Sequence, residues 1–481
     1  MPATRTTPRW SAPATALAAA LTLAGCASLR VQPTDAAAGV ALPAAWNAAA
    51  PQPEAAPATP LAAWWQRFGD PALSRLVEQA LAANTSVASA QAALRQARAL
   101  AQVQQARLGP SVGSSASVQR SQSDGGGGSN LFRAGFDASW EPDIFGGQHA
   151  ARDASELDTQ ASAASLGDVQ VSVAAEVAQG YIALRSAERR LAIARENLAS
   201  QQETLQITQW RVQAGLATSL EAEQARTAVE QTRAQVPALQ TTIAQSRHAL
   251  ALLTGRTAAG LSLPEGGALP QPAEDLALAF PADTLRQRPD VRAAEARVGA
   301  AAQRLVQAEA ARYPSFNLSG TLGLSALTLS GLGAGGAAAA SLLGGVSLPL
   351  FDGGALRAQA SAQQAALDQA RAAHRGAVLA ALKDVEDALV ALQGDRERLA
   401  RLRDAAEAAD NAALLARQRY ASGLVDFQTV LTTQRTQLSA QDSVAAGNAD
   451  VASDHVRLFK ALGGGWTPLP SASSASDDKT S

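Results

Sequence analysis

Residues 132–140 read Phe-Arg-Ala-Gly-Phe-Asp-Ala-Ser-Trp, and this stretch decides the fold class. Its even-numbered positions are all aromatic or alanine, whereas its odd-numbered positions include Arg133, Asp137 and Ser139. Alternation with a period of two places the apolar and polar residues on opposite faces of a strand. A strand of about ten residues is also long enough to cross a bilayer when tilted. The stretch therefore predicts an amphipathic strand of transmembrane length.

Three further segments, at residues 112–118, 316–325 and 342–350, show the same alternation. The run Ser319–Phe351 carries no charge and could instead be a transmembrane helix, but its many glycines and Pro349 favour strands. Four strands per chain cannot close a barrel, because the smallest barrels have about eight. Several chains must therefore share one barrel.

The chain contains an internal repeat. Ala106-Arg107 and Pro110-Ser111 match Ala311-Arg312 and Pro314-Ser315, Phe145 before glycine matches Phe351, and Arg211…Gly215-Leu216 matches Arg419…Gly423-Leu424. The spacing is too long for a solenoid, whose units have roughly 20–50 residues. Residues 61–262 and 270–466 are thus interpreted as two copies of one structural unit, joined by a proline-rich segment.

Each copy has the same predicted order of elements. A helix (residues 71–107 or 283–312, the latter with Pro289 in its first turn) precedes the strand pair. A long helix follows, for which residues 149–213 contain leucine at every seventh position from 184 to 205. A repeat of seven favours a coiled coil roughly 97 Å long. Each long helix ends at a glycine turn, Gly215 or Gly423, and a return helix supplies its antiparallel partner.

The N-terminus is typical of an exported lipoprotein. Arg5 and Arg9 precede an apolar stretch that leads into Leu23-Ala24-Gly25-Cys26, and Cys26 is the one cysteine of the chain. This resembles a bacterial lipobox, which implies a signal peptide at residues 1–25 and diacylglycerol plus an N-acyl chain on Cys26. An ordinary signal peptide with a chance cysteine is the alternative. Residues 26–60 are expected to be a lipidated linker and residues 467–481 a disordered tail.

Composition argues against several functions. A net charge of −2 gives no reason to expect nucleic acid as a partner. The four histidines are dispersed without metal-ligand spacing, and no nucleophile–base arrangement is visible. We expect neither a catalytic site, nor a metal, nor any cofactor besides the covalent lipid.

Several short motifs, in this order along the chain, resemble the TolC-like outer membrane efflux proteins. They span residues 64–71 (Trp-Trp-Gln-Arg-Phe-Gly-Asp-Pro), 140–146, 288–291 (Arg-Pro-Asp-Val), 313–314, 419–423 and 461–466. The resemblance is to the NodT-type lipoproteins that are paired with resistance-nodulation-division pumps. It implies a homotrimer whose 12-stranded outer membrane β-barrel continues as a long coiled-coil α-helical barrel in the periplasm. The chain would be a passive exit duct for small molecules such as drugs, with a periplasmic adaptor (membrane fusion) protein, an inner membrane pump and outer membrane lipid as partners.

The resemblance also implies that the two glycine turns form a tip that docks the adaptor. The residues carried over to this tip are Arg211, Gly215, Leu216, Thr218, Tyr420, Gly423, Leu424 and Asp426. The alternative for each is simple turn chemistry, because glycine at a helix C-terminus needs no partner.

The pore gate departs from the family pattern. Members often carry Asp at the position of Thr432, and in a trimer that Asp would form a ring of three charges. Thr432 supplies none, so Asp426 is the candidate substitute, although the alternative role as the N-cap of the return helix is favoured. Asp426, Gln428 and Thr432 are the candidate gate residues.

Two other functions stay open. The first is the outer membrane duct of a type I protein secretion system, which would have the same fold. The second is a structural coiled-coil envelope lipoprotein without a pore, which leaves the four amphipathic strands unexplained.

Overall fold

The computed structural model describes residues 61–122, 128–264, 266–271, 282–333 and 337–466. The helices and strands follow in the order α1 (Pro71–Ala83), α2 (Thr85–Ala106), β1 (Ser111–Ser121), β2 (Ser129–Trp140), α3 (Gly147–Gln213), α4 (Ser219–Leu253), α5 (Pro289–Ala310), β3 (Ser315–Ala326), β4 (Ala337–Ser347), α6 (Ala355–Ala421) and α7 (Phe427–Ala461). Cys26, the expected signal peptide 1–25, the expected linker 26–60 and the expected tail 467–481 lie outside the described residues.

The four strands form one antiparallel sheet in the order β1-β2-β3-β4. The uncharged run after Ser319 therefore forms strands, and the transmembrane-helix alternative for it is wrong. Among the described helices, none combines the length and the apolar character needed to cross a membrane.

The register places most of the large apolar side chains of the four strands on one face. Phe136 lies opposite Ser114 on β1 and Leu322 on β3, and Leu322 lies opposite Ala340 on β4. The other face is polar: the Ser115 hydroxyl donates to Asp137 at 2.6 Å, and the hydroxyls of Thr321 and Ser341 are 2.7 Å apart. A one-residue slip would exchange the two faces, so the side-chain pattern fixes this register.

On the polar face, Gly135 lies directly opposite Gly323. A Cβ atom at Gly135 would come within 2.8 Å of the Gly323 Cα. The backbones of β2 and β3 approach so closely here that only glycine fits.

The sheet has two unpaired edges within the chain. Every residue of β1 and of β4 is exposed, whereas β2 and β3 include partly buried positions. Long exposed edges are unfavourable unless another strand pairs with them.

The helices after each strand pair have matching lengths. α3 and α6 have 67 residues each, and α4 and α7 have 35 each. At 1.5 Å per residue, α3 and α6 are each roughly 100 Å long. The seam leucines Leu184 and Leu191 of α3 are buried, as are Leu392 and Leu399 of α6.

The structure corrects two expected helix boundaries. The helix expected over residues 71–107 is interrupted at Asn84, which is extended, with φ −67° and ψ 134°. Its side chain accepts from the Ser86 amide at 2.8 Å and donates to the Leu253 carbonyl at 2.9 Å. The helix expected from residue 283 begins instead at Pro289, after a short 3₁₀ segment (Ala282–Gln287). Pro289 is thus the first helical residue, where a missing N–H costs nothing.

The described residues fall into two compact units. The first contains residues 96–160 and 295–373, and therefore the sheet. The second contains residues 61–95, 161–294 and 374–466.

The main core of the second unit brings three of the sequence motifs together. Trp64 is stacked on Phe459, with ring centroids 5.2 Å apart. The Gly465 amide donates to the Leu61 carbonyl at 3.0 Å, and Gly463, with φ +74°, lies against Arg288. The Arg288 guanidinium donates to the Ala461 carbonyl at 2.7 Å. These motifs therefore stabilise the ends of the helices.

Candidate functional site at the two hairpin tips

The two long hairpins, α3–α4 and α6–α7, end in identical turns. Gly215 and Gly423 both have φ +71°, a left-handed conformation that favours glycine. The Leu216 amide donates to the Arg211 carbonyl at 2.8 Å, and the Leu424 amide donates to the Arg419 carbonyl at 2.9 Å. The Gly215 amide also donates to the Val212 carbonyl, and the second hairpin contains the equivalent hydrogen bond. The two hydrogen bonds of each turn together form a Schellman motif.

Each turn presents one leucine to solvent. Leu216 is 71% exposed and Leu424 is 74% exposed, although a leucine at this position of a Schellman motif often packs back on its own helix. Leu220, on the first turn of α4, is 65% exposed. The tips therefore carry apolar side chains that their own chain does not cover, which is typical of a binding surface.

The return helices begin with two different caps. Thr218 and Glu221 form a capping box, in which the Thr218 amide donates to the Glu221 carboxylate at 2.7 Å. Asp426 caps α7 and accepts from the Thr429 amide at 2.8 Å. Hydrogen bonds from the Thr429 side chain and backbone lower the pKa of Asp426. The N-cap role that the sequence favoured for Asp426 is thus present.

A cation–π contact joins the two hairpins near their tips. The Arg211 guanidinium carbon lies 4.4 Å from the centre of the Tyr420 ring. The Tyr420 ring in turn lies 5.3 Å from that of Phe427, which is buried with Leu431 and Ala225. Burial raises the pKa of Tyr420, and its hydroxyl has no hydrogen-bond partner among the described residues. Arg211 and Tyr420 were expected at the tip, whereas neither Phe427 nor the contact between the hairpins was predicted from the sequence.

The three candidate gate residues lie at the beginning of α7. Gln428 and Thr432 are both exposed and are one helical turn apart, so they share a face. The carboxylate of Asp426 is exposed at the cap. A ring of these residues at a pore requires further copies of the chain, so their gate role stays a prediction.

Above the tip, polar side chains are buried between helices α3 and α7. Gln434, 3% exposed, donates to the Thr204 hydroxyl at 3.1 Å. Thr208 is fully buried, and its hydroxyl donates to the Thr204 carbonyl at 2.8 Å. The side-chain oxygens of Gln201 and Gln434 have no hydrogen-bond partner among the described residues. A buried polar atom without a partner costs free energy, so this layer stabilises the contact between the two helices weakly.

Nearer the other end of α7, two adjacent buried residues have perturbed pKa values. Burial, reinforced by the neighbouring Asp395 carboxyl, raises the pKa of Asp454 to about 6, while Arg457 opposes this shift. Burial and the charge of Arg396 lower the pKa of His455 to about 4. The described residues contain no group of three or more His, Cys, Asp or Glu arranged to hold a metal ion.

The sheet with one apolar face, together with the two paired helical hairpins, defines a class of outer membrane channel. The sequence profile of the outer membrane efflux protein family matches residues 76–256 and 280–464. The chain belongs to this family, and it functions as an outer membrane efflux channel.

The chain is similar to individual relatives over nearly its whole length. The chain is 33% identical over 460 residues to outer membrane protein OprJ of Pseudomonas aeruginosa, covering 94% of this chain and 95% of OprJ. It is 34% identical over 459 residues to OpmQ of Pseudomonas putida, a pyoverdine export outer membrane protein, covering 93% and 96%. The solved structure of the outer membrane channel OprN superposes with a TM-score of 0.83 at 34% identity, covering 89% of this chain and 98% of OprN. The family consists of outer membrane channels rather than enzymes, and the envelope lipoprotein without a pore is therefore wrong.

Proposed function

We propose that three copies of the chain form one duct, in which the four strands of each copy contribute to a 12-stranded outer membrane β-barrel and the hairpins continue it as a helical barrel in the periplasm. The observation that carries this proposal is the sheet itself: it has one apolar face, one polar face and two fully exposed edges. Closure into a barrel removes both edges and places the apolar face against lipid. Three times four strands gives a size within the range of bacterial barrels.

The duct arises from a tandem duplication, with one unit at residues 61–262 and the other at 270–466. Three observations support this: the repeated sequence motifs, the equal lengths of α3 and α6 and of α4 and α7, and a family profile that matches in two consecutive segments.

The duct is passive and works with two partners. The family is named for efflux and its member OpmQ for pyoverdine export, which supports an inner membrane pump as the source of energy and a periplasmic adaptor as the link to it. The exposed tip leucines, Leu216 and Leu424, are the surface that the adaptor would contact. Arg211, Thr218, Tyr420 and Asp426 hold the two turns in shape, and the glycines permit them. The exported cargo is a small molecule, such as a drug.

Cys26 carries the covalent lipid in this proposal. Two or more acyl chains anchor a protein stably, whereas one chain gives only marginal binding. Mass spectrometry of the mature N-terminus should find Cys26 as the first residue with diacylglycerol and an N-acyl chain. The Cys26→Ser protein should lack these lipids but remain in the outer membrane through its strands. Complete loss of that variant from the membrane fraction would contradict strand insertion.

Native mass spectrometry of the detergent-purified chain tests the assembly. We expect a species of three chains that resists dilution. A monodisperse monomer or dimer that retains its strand content would contradict the trimer, because the open edges would then have no partner.

A further inference from the structure

The apolar face of the four strands carries a single charged side chain, that of Arg120. Arg120 lies opposite Asn130 in the ladder between β1 and β2, and Asn130 is on the same side of β2 as Phe136. The other two charged residues of the strands, Arg133 and Asp137, lie on the polar face. A charge on a face that is otherwise suited to lipid requires a partner or a position where water reaches it.

Arg120 lies at the end of the sheet that faces outward in the proposed barrel. β1 starts beside α2 and β2 ends beside α3, so the helices join the opposite end. Arg120 is the last but one residue of β1 (Ser111–Ser121). At about 3.4 Å per residue and a tilt of about 40°, it stands about 23 Å above Ser111. The apolar band of such barrels is about 25 Å tall, so Arg120 reaches its outward boundary.

The guanidinium group of Arg120 is directed toward this boundary. Gly128 lies beyond the last pair of the ladder, in which Ser121 is opposite Ser129. A Cβ atom at Gly128 would lie 3.7 Å from Nε and 3.8 Å from Nη2 of Arg120. The charged head therefore lies beside the backbone past the strand ends, and the aliphatic part of the side chain spans the last residues of the apolar face. This is how arginine snorkels at the edge of a membrane.

The outward end of the sheet is positively charged. Its described residues, at 117–122, 128–133, 324–333 and 337–340, include Arg120 and Arg133 but neither aspartate nor glutamate. Arg120 is exposed, and no hydrogen bond or ion pair joins it to another described residue. The exposed side chain of Asn130, directly opposite on β2, adds an amide that can donate hydrogen bonds. These groups together favour an anion at the boundary.

We propose that Arg120 and Asn130 bind a phosphate group of the outer-leaflet lipid, the lipopolysaccharide of an outer membrane. A guanidinium presents paired N–H donors that match the oxygens of a phosphate, and the Asn130 amide supplies a further donor. The occupant is lipid because the site continues the face that the barrel places against the bilayer, at the height of the headgroups. The proposal rests on the proposed barrel and adds a lipid contact to it.

Binding of bisphosphorylated lipid A to the purified, detergent-solubilised trimer tests the contact. Native mass spectrometry would count the lipid molecules bound at each concentration. An arginine near anionic lipid changes its affinity by a factor of about 5, so Arg120→Gln should weaken each site about 5-fold. Arg120→Lys keeps the charge and should lose less.

Two matched controls accompany this titration. Arg133→Gln removes a charge from the same end of the sheet but from the polar face, and it should leave the affinity unchanged. Lipid A without phosphates should bind the unchanged chain and Arg120→Gln equally. Undiminished binding of bisphosphorylated lipid A by Arg120→Gln would overturn the proposal. An equal loss in Arg133→Gln, or an equal loss with the phosphate-free lipid, would overturn it as well.

Cysteine labelling separates this inference from the barrel itself. Val118 and Ser117 are neighbours on β1, and they lie on the apolar and the polar face, respectively. In outer membrane vesicles, a water-soluble maleimide should label Ser117→Cys but not Val118→Cys, and the unchanged chain measures the background from Cys26. Equal labelling of both variants would show that the strands do not lie against lipid, so the proposed barrel would fail. Protection of Val118→Cys together with full lipid binding by Arg120→Gln would leave the barrel standing and overturn the phosphate contact.

Discussion

The guanidinium of Arg211 lies over the ring of Tyr420, 4.4 Å from its centre, and thereby joins the tips of the two helical hairpins of the chain. Each turn is also held by its own backbone hydrogen bonds and its own N-cap, and Ala225 of the first hairpin is buried in one cluster with Phe427 of the second. The contact therefore adds to the coupling between the two tips.

Replacing Arg211 by alanine should loosen both tips. A cation–π contact at a partly exposed site contributes about 0.5–1 kcal/mol, so amide exchange at residues 212–220 and 421–430 should accelerate about 2- to 5-fold. Tyr420→Ala should have a larger effect, because it also removes packing on Phe427. Tyr420→Phe should change little, since the hydroxyl has no partner among the described residues. Equal acceleration in the control Arg226→Ala, whose ion pair lies within α4, would contradict the coupling.

The glycines of the two turns should not tolerate a side chain. Gly215→Ala or Gly423→Ala forces alanine to φ +71° and should lower the free energy of unfolding of the hairpin by about 1–2 kcal/mol. Asn is expected to be milder, because it tolerates this conformation. Gly376→Ala, inside α6 with nothing within 4 Å of its Cβ position, should instead stabilise by about 0.5–1 kcal/mol. Thermal melts in detergent would measure each of these variants, and a neutral Gly215→Ala would contradict the strained turn.

The exposed tip leucines should determine adaptor binding without contributing to stability. We expect Leu216→Ser with Leu424→Ser to abolish binding of the cognate adaptor in a pull-down while leaving the melting temperature unchanged. Leu252→Ser is the matched control, since Leu252 lies near the end of α4 away from the tip and is 74% exposed, as Leu424 is. Undiminished binding by the double variant would contradict docking at the tips.

Two adjacent residues of α7 should have opposite effects on the pH dependence of stability. The pKa of Asp454 is raised from 3.8 to about 6, so the folded state holds a proton between these values that the unfolded state does not. Its contribution therefore stabilises the fold as the pH falls from 6 to 4. The pKa of His455 is lowered from 6.5 to about 4, so protonation of the unfolded state destabilises the fold over nearly the same range.

The two contributions offset each other in the native chain, and substitution should separate them. In Asp454→Asn only His455 contributes, so the melting temperature should fall as the pH is lowered from 6.5 to 4. In His455→Gln only Asp454 contributes, so the melting temperature should rise as the pH is lowered from 6 to 4. In each variant the free energy of unfolding should change by about 1–2 kcal/mol across the range. Parallel pH profiles for the two variants would contradict the assignment.

Much of the fold could be predicted from local pattern, because its determinants are periodic. The alternation at residues 132–140 predicted the strands, the leucines of α3 predicted its buried face, and the position of Gly215 predicted the turn. The break at Asn84 could not be predicted in this way. It depends on a hydrogen bond from the Asn84 side chain to the carbonyl of Leu253, which is distant in the sequence.

The residues of the candidate site could be predicted from the sequence, but the contacts between them could not. Arg211 and Tyr420 both stand next to a glycine turn, and this local signal identifies them. Their mutual contact, and that of Gln434 with Thr204, arise only when two hairpins pack side by side. The residue pattern of one hairpin does not predict which of its faces the other hairpin will cover.

Single-channel recording in planar bilayers tests most directly whether the chain is an outer membrane duct. Purified trimers should give discrete conductance steps, and Arg211→Ala with Tyr420→Ala should increase the open fraction by loosening the tips. Persistent silence of both proteins, with strand content and trimeric mass intact, would contradict the account.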